Sequence, residues 1–221
     1  MKITVPTSVL FAVSMYVAQA LAAGPSVKLS YADFFDEVCV QQTKYKIDPS
    51  WKSELATRLP EFESAWARDG STLLETSVAI VGKSFTENEI LVPLSICSFP
   101  SMGEPLLVNM RYSLNSFTPT PLSMDVTVST IFHELLHRFL GGKIPVNSKL
   151  LLKYEHEDET VKFHLHLFAL QKAVYLKLGR EDTLKRVVQK DQALPNKSYK
   201  RAWEIVNDLD NYSAFIRELH Q

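Results

Sequence analysis

Apolar residues along this chain recur mostly with a helical period, and the exceptions fall in one region. From Leu29 to Lys46, Phe34, Phe35, Val38 and Cys39 lie at helical spacing and predict a first helix. Asp48-Pro49-Ser50 breaks it, and Ser50-Trp51 opens a second, short helix. A third is expected over Pro60 to Arg68, ending at Asp69-Gly70, and Ser71 then caps a further turn ahead of the apolar run Val78-Ala79-Ile80-Val81. Strand character follows from Ile90 to Phe99. Pro93 interrupts it, which points to an edge strand or to two pieces. Pro100-Ser101-Met102-Gly103 is turn chemistry, and Leu106 to Leu114 alternates as a second strand.

The next segment is the most strongly patterned. Ser123 stands as N-cap with Asp125 in the first turn, where the helix dipole favours an acid. Val128, Ile131, Phe132, Leu135, Leu136 and Phe139 continue the helical period, Gly141-Gly142 supplies a left-handed C-cap, and Pro145 prevents continuation. A further helix is expected from about Tyr154 to Leu178, stopping at Gly179, then two more polar ones near Glu181 to Lys190 and Ser198 to Leu219. The fold class predicted is α+β: a mostly helical single domain with a small β-sheet preceding the helix that begins at Ser123.

Composition narrows this picture in two places. The 221 residues carry 24 Lys and Arg against 25 Asp and Glu, so no basic excess points to nucleic acid or to an anionic membrane. Lys2 precedes a mostly apolar stretch, and both Ala18-x-Ala20 and Ala20-x-Ala22 fit a signal-peptidase site. Residues 1–23 are therefore read as a signal peptide rather than a membrane anchor, because the apolar stretch is short and broken by Pro6. An exported protein, periplasmic or secreted, is expected, with no stable membrane insertion after cleavage. In that setting the two cysteines, Cys39 and Cys97, suit either one disulfide or two buried thiols, and they are too few for a thiolate metal site.

The candidate chemistry lies on the Ser123 helix. His133 and His137 are four residues apart in His133-Glu134-Leu135-Leu136-His137, which puts both imidazoles on one helix face, close enough to share a metal ion. Neutral imidazole suits a zinc-type ion. Glu134 is offset from the ligand pair, as suits a general base that touches a metal-activated water without capturing the metal. This is the His-Glu-x-x-His motif of zinc peptidases. A catalytic ion also needs a third protein ligand and an open position. The candidates lie between Tyr154 and His166.

At this point the chain resembles the gluzincins, the thermolysin-like zinc peptidases. In them a glutamate on a following helix completes the site, about as far from the second histidine as Glu157 is here. The resemblance implies Zn2+ bound by His133, His137 and Glu157, Glu134 as the base, and residues 24–221 as one zincin-like metallohydrolase domain acting on a peptide or protein. Phe132 to His137, Lys153 to Glu157 and His164 to Leu167 are also similar to a family of exported bacterial HExxH proteins to which no substrate is assigned. The thermolysin group usually has Asn before the third Glu and Asp four residues after it. Here His156 and Val161 stand at those places, so the ligands must be oriented differently.

His164, seven residues after Glu157, falls on the same face of the expected helix, as a catalytic donor, an alternative third ligand or a partner to a ligand. His166 points elsewhere and reads as structural, and Glu159 is a weaker ligand alternative. Arg111 and Tyr112 are expected on the strand before the motif helix. In zincins that strand commonly pairs with an extended substrate. Tyr112, Tyr154 and Tyr199 are each possible oxyanion donors. Two competing readings remain. A di-iron site would need a second Glu-x-x-His pair, which the chain lacks. A non-catalytic exported metal-binding or partner-binding protein would have no use for Glu134 beside the ligands.

Overall fold

A computed structural model describes residues 24–208 and 211–221 of the chain, so the expected signal over residues 1–23 lies outside the described residues. Four short strands form a sheet in the order β1-β2-β4-β3: β1 (Ser26–Tyr31), β2 (Glu89–Ser95), β3 (Met102–Gly103) and β4 (Leu106–Asn109). β1 and β4 run parallel to β2, and β3 runs antiparallel to β4. The described helices are α1 (Asp33–Thr43), α2 (Pro49–Val81), α3 (Met124–Leu140), α4 (Lys149–Lys153), α5 (Glu159–Lys177), α6 (Glu181–Gln192), α7 (Lys197–Asn207) and α8 (Asn211–Leu219). The expected α+β class, mostly helical with a small sheet ahead of the motif helix, is what forms. Among the described residues, no helix is long and apolar enough to cross a membrane.

The first strand corrects the reading of a helix from Leu29. Val27, Leu29 and Tyr31 alternate as β1, and the helix begins only at Asp33. Phe34, counted in the apolar stripe, is turned outward at 78% exposure. The inward residues of α1 are Asp36 and Cys39. Asp36 accepts bonds from Ser95 Oγ and the Ile96 amide, which stitches α1 to the end of β2. Cys39 and Cys97 form a disulfide, with Cα atoms 6.4 Å apart.

Three expected short segments are one helix, α2, of 33 residues. Asp48 caps it by accepting from the Ser50 amide at 2.8 Å, and Pro49 takes a first-turn position where its missing N–H costs nothing. Pro60 does not break the helix because it sits on the solvent face. Ala56, whose carbonyl loses its partner, is exposed too and open to water. Gly70 is not a terminus but a contact: a Cβ there would stand 2.4 Å from ring atoms of Trp66, one turn earlier. Gly82, in the left-handed region at φ 70°, ends the helix.

β2 resolves the Pro93 ambiguity. It pairs with β1 along its length, but with β4 only at Leu94 and Ser95. Pro93 therefore lies where one edge of the strand is still open and no donor is missed. β4 ends at Asn109, and Arg111–Ser113 form a 3-10 turn rather than more strand. The expected C-terminal helix is divided into α7 and α8.

The core lies where α2, α3 and α5 meet the sheet. Trp203, Tyr175, Phe62, Phe132, Phe139, Phe168 and Phe215 are its largest fully buried side chains. α3 is buried on nearly every side from Val126 to Leu136.

Gly70→Ala tests the packing of α2. Alanine's better helix propensity would add about 1 kcal/mol, but overpacking against an indole that is only 5% exposed costs about 1–3 kcal/mol. A net loss of about 1 kcal/mol or more in urea unfolding is expected. A gain would mean that the Trp66 ring moves freely.

Candidate metal centre

Three histidines from two helices meet between α3 and α5. His133 and His137 project from one face of α3 as their spacing requires, and their Nε2 atoms are 3.2 Å apart. His164 faces them from the second turn of α5, with ring centroids 5.3 Å from His133 and 5.0 Å from His137. One ring nitrogen from each lies within 4.8 Å of the others, a group that could hold a metal ion. A tetrahedral ion with bonds of 2.0–2.1 Å needs ligand nitrogens about 3.4 Å apart, and the His133–His137 pair is already near that separation.

Protonation follows from the second nitrogen of each ring. His164 Nδ1 donates to the Thr160 carbonyl, one turn back, at 2.6 Å. That leaves Nε2 as a bare acceptor, and this atom is buried with no hydrogen-bond partner. A buried acceptor with no donor calls for an explanation, and a cation would supply one. Burial and mutual repulsion hold His133 well below the ordinary imidazole range. Burial lowers His137 to about 4 and lowers His164 as well. All three are neutral at physiological pH, the state in which imidazole binds metals.

Glu134 is 4% exposed. Burial pushes its carboxyl up to about 8, opposed by the charge of Lys190, and no hydrogen bond from the described residues offsets it. Lys190 is held on α6 by Asp191 at 3.1 Å, and Asp191, itself buried, also accepts from Trp203 Nε1 at 3.0 Å. Tyr199 on α7 covers the cluster, its ring centroid 4.3 Å from that of His164 and 5.8 Å from that of His133. Of the three tyrosines considered as donors, Tyr199 is the one whose ring lies against the histidines. Tyr112 is an exposed residue of the 3-10 turn, and Tyr154 stacks on Phe215.

Glu157 is not brought into the group. Its Oε1 accepts from Arg201 Nε at 2.9 Å and Nη2 at 2.6 Å. The cause is local: Asp158 accepts from the Val161 amide at 2.8 Å and caps α5, so the helix starts at Glu159. Glu157 is then in the preceding turn and shares no face with His164. The group that could hold an ion is completed by His164 instead of the Glu157 that the resemblance implied. Glu159 is exposed and paired with Lys162. His166 is structural as expected: it is fully buried and bonded to Glu218 at 2.8 Å.

Arg111 is not free for a ligand. Its guanidinium donates to Tyr45 OH, Asn109 Oδ1 and the Ser98 carbonyl. The strand beside α3 at the sheet edge is β3. Gly103 lies so close that a Cβ there would stand 2.3 Å from His137 Cβ and 3.1 Å from the Glu134 carbonyl. Nothing in the sequence marked this glycine beyond its place in a turn.

No protein-family model, curated protein or solved structure matches the chain. What bears on function is therefore the geometry itself.

Two outcomes follow. Gly103→Ala should push β3 off α3 and displace His137, lowering metal affinity about tenfold or more in chelator competition while unfolding stays cooperative; unchanged affinity would mean that β3 is not held against the helix. Glu134→Gln should stabilise the metal-free protein near neutral pH. Below pH 4.5 the carboxyl is protonated both folded and unfolded. Between 4.5 and about 8 only the unfolded chain releases the proton, which penalises folding. The gain in melting temperature should be several degrees near pH 8 and vanish near pH 4, by calorimetry.

Proposed function

We propose that this chain is a zinc-dependent hydrolase acting on peptides, with His133, His137 and His164 as metal ligands and Glu134 as general base. The observation that carries this reading is the convergence of three neutral imidazole nitrogens, one of them a buried orphan acceptor, two of them on the helix that also buries the Glu134 carboxyl. An all-nitrogen, three-protein-ligand set favours zinc over harder ions such as magnesium or calcium, and it leaves the fourth position that a catalytic site needs. A purely structural site would usually be closed by a fourth protein ligand.

A zinc-type ion bound there would supply Lewis acidity and lower the pKa of a water molecule. The same positive charge would draw Glu134 down from its raised pKa, so that it is ionised and able to accept a proton. Glu134 then takes the proton from the attacking water and returns it to the leaving amine. Tyr199, over the cluster, is the side chain best situated to donate to the substrate oxygen as negative charge builds on it. The outer edge of β3, the last strand of the sheet, supports a peptide as the substrate class. An extended chain laid there by main-chain pairing would pass over the Gly103–His137 contact.

Zinc content after dialysis should be one equivalent in the wild type, lost in His164→Ala and retained in Glu157→Ala. Retention in the first with loss in the second would restore Glu157 as the ligand. Glu134→Gln should keep the zinc and lower peptide hydrolysis at least about 100-fold. A wild type that binds zinc but cleaves nothing in a broad peptide pool would leave a metal-binding protein without catalysis.

A further inference from the structure

The chain lacks the aspartate by which the thermolysin group orients a ligand histidine, and Val161 stands in its place. His164 is oriented by the Thr160 carbonyl, but among the described residues no carboxylate or main-chain acceptor bonds to the second nitrogen of His133. The candidate lies deeper on α5. Gln171 follows His164 by seven residues, two turns on, and so shares the face that α5 turns to α3. It is fully buried. Its Nε2 donates to Ser129 Oγ at 3.0 Å, and Ser129 precedes His133 by one turn of α3. The amide turns its nitrogen to the serine, and its Oε1 is buried with no hydrogen-bond partner among the described residues.

We propose that Gln171 is the positioning residue for His133: its Oε1 accepts the proton of Nδ1, which leaves Nε2 bare and aimed at the metal. The direction of its effect on His133 agrees, since the Gln171 side chain favours the protonated ring against the burial that opposes it. An amide does here what a carboxylate does elsewhere, without adding negative charge. A neutral acceptor polarises imidazole less than a carboxylate does, so a bound cation keeps more of its charge. The acceptor is also supplied by the same helix as the third ligand. Any sliding of α5 against α3 would thus move His164 and the support of His133 together.

This inference rests on the metal-centre reading, but its first readout needs no metal. Long-range 15N–1H NMR of the metal-free protein, above the pH at which its histidines titrate, should show His133 as the Nδ1–H tautomer. Gln171→Met, close in volume and without the acceptor, should shift His133 towards the Nε2–H tautomer. It should also weaken zinc binding about 10- to 100-fold in chelator competition. Gln171→Glu keeps an acceptor and should retain the wild-type tautomer, and its zinc affinity should stay near wild type. An Nε2–H tautomer in the wild type overturns the proposal even if the methionine variant fails to fold. So does a folded Gln171→Met protein with unchanged tautomer and affinity. A wild type that shows the Nδ1–H tautomer but binds no zinc would sink the metal reading and leave the hydrogen bond standing.

Discussion

Burying three imidazoles around one point, with His164 Nε2 left without a hydrogen-bond partner among the described residues, and burying the Glu134 carboxyl on the same helix as two of them, is the constraint on which the rest of this structure depends. Each such group costs free energy in a dry interior unless something compensates it. The chain concentrates those costs on α3 and sets them against some of its densest packing. Ile131, Phe132, Leu135, Leu136 and Phe139, interleaved with the polar positions, are all fully buried. A helix apolar on one face only could not hold His133 and Glu134 in the interior. α3 can, because the sheet, α2, α5 and α6 pack around it.

That arrangement explains features that otherwise look incidental. β3 must pass within contact distance of His137, so position 103 has no room for a side chain. The loop that delivers β3 is tied from several sides. Asn109 Nδ2 donates to the Cys97 and Phe99 carbonyls, Ser101 Oγ accepts from the Asn109 amide, and Arg111 reaches the Ser98 carbonyl. The disulfide fastens the start of the same loop to α1 across 58 residues of chain, a closure of about 4 kcal/mol by loop entropy. Residues far from the chemistry thus fix the strand that borders it.

How much of this was legible in the sequence depended on whether the signal was local. The motif helix was readable from Ser123 to Gly142 because cap, period and terminator agreed. β1 was missed because its alternation spans three apolar residues and the helical spacing after it is stronger. α2 was cut at Pro60 and Gly70, two residues whose tolerance rests on which face meets solvent and which meets Trp66, and neither is a local property. Pro93 was read as a sign of an edge strand or of two pieces, but β2 is one strand internal to the sheet, and only its stretch as far as Pro93 has an open edge. The third candidate ligand shows the limit most clearly. The distance from His137 to Glu157 fitted a known pattern, but Asp158 was the stronger local signal. An aspartate three residues ahead of Val161 caps a helix, so that helix could not include Glu157. Tyr199 and Gln171 had no such signal, since their roles exist only once α7 and α5 are folded against α3.

A group completed by His164 instead of a glutamate would alter the electrostatics around a bound ion. With two imidazoles and a carboxylate, a divalent ion would keep a formal charge of plus one before Glu134 is counted. With three imidazoles it would keep plus two. The surroundings do not make up the difference, because Lys190 and Asp191 pair with one another and Gln171 is neutral. Glu134 would then be the one ionisable group next to the ion with no partner of its own. A carboxyl that burial, with a smaller push from Asp191, holds up near 8 would be ionised by a bound ion, so base and metal would become active together. The same imbalance requires that the rings be held firmly, because three neutral ligands bind a cation less tightly than a set containing a carboxylate. That firmness comes from Thr160 on one ring, from β3 pressed against another, and from the amide of Gln171 beside the third.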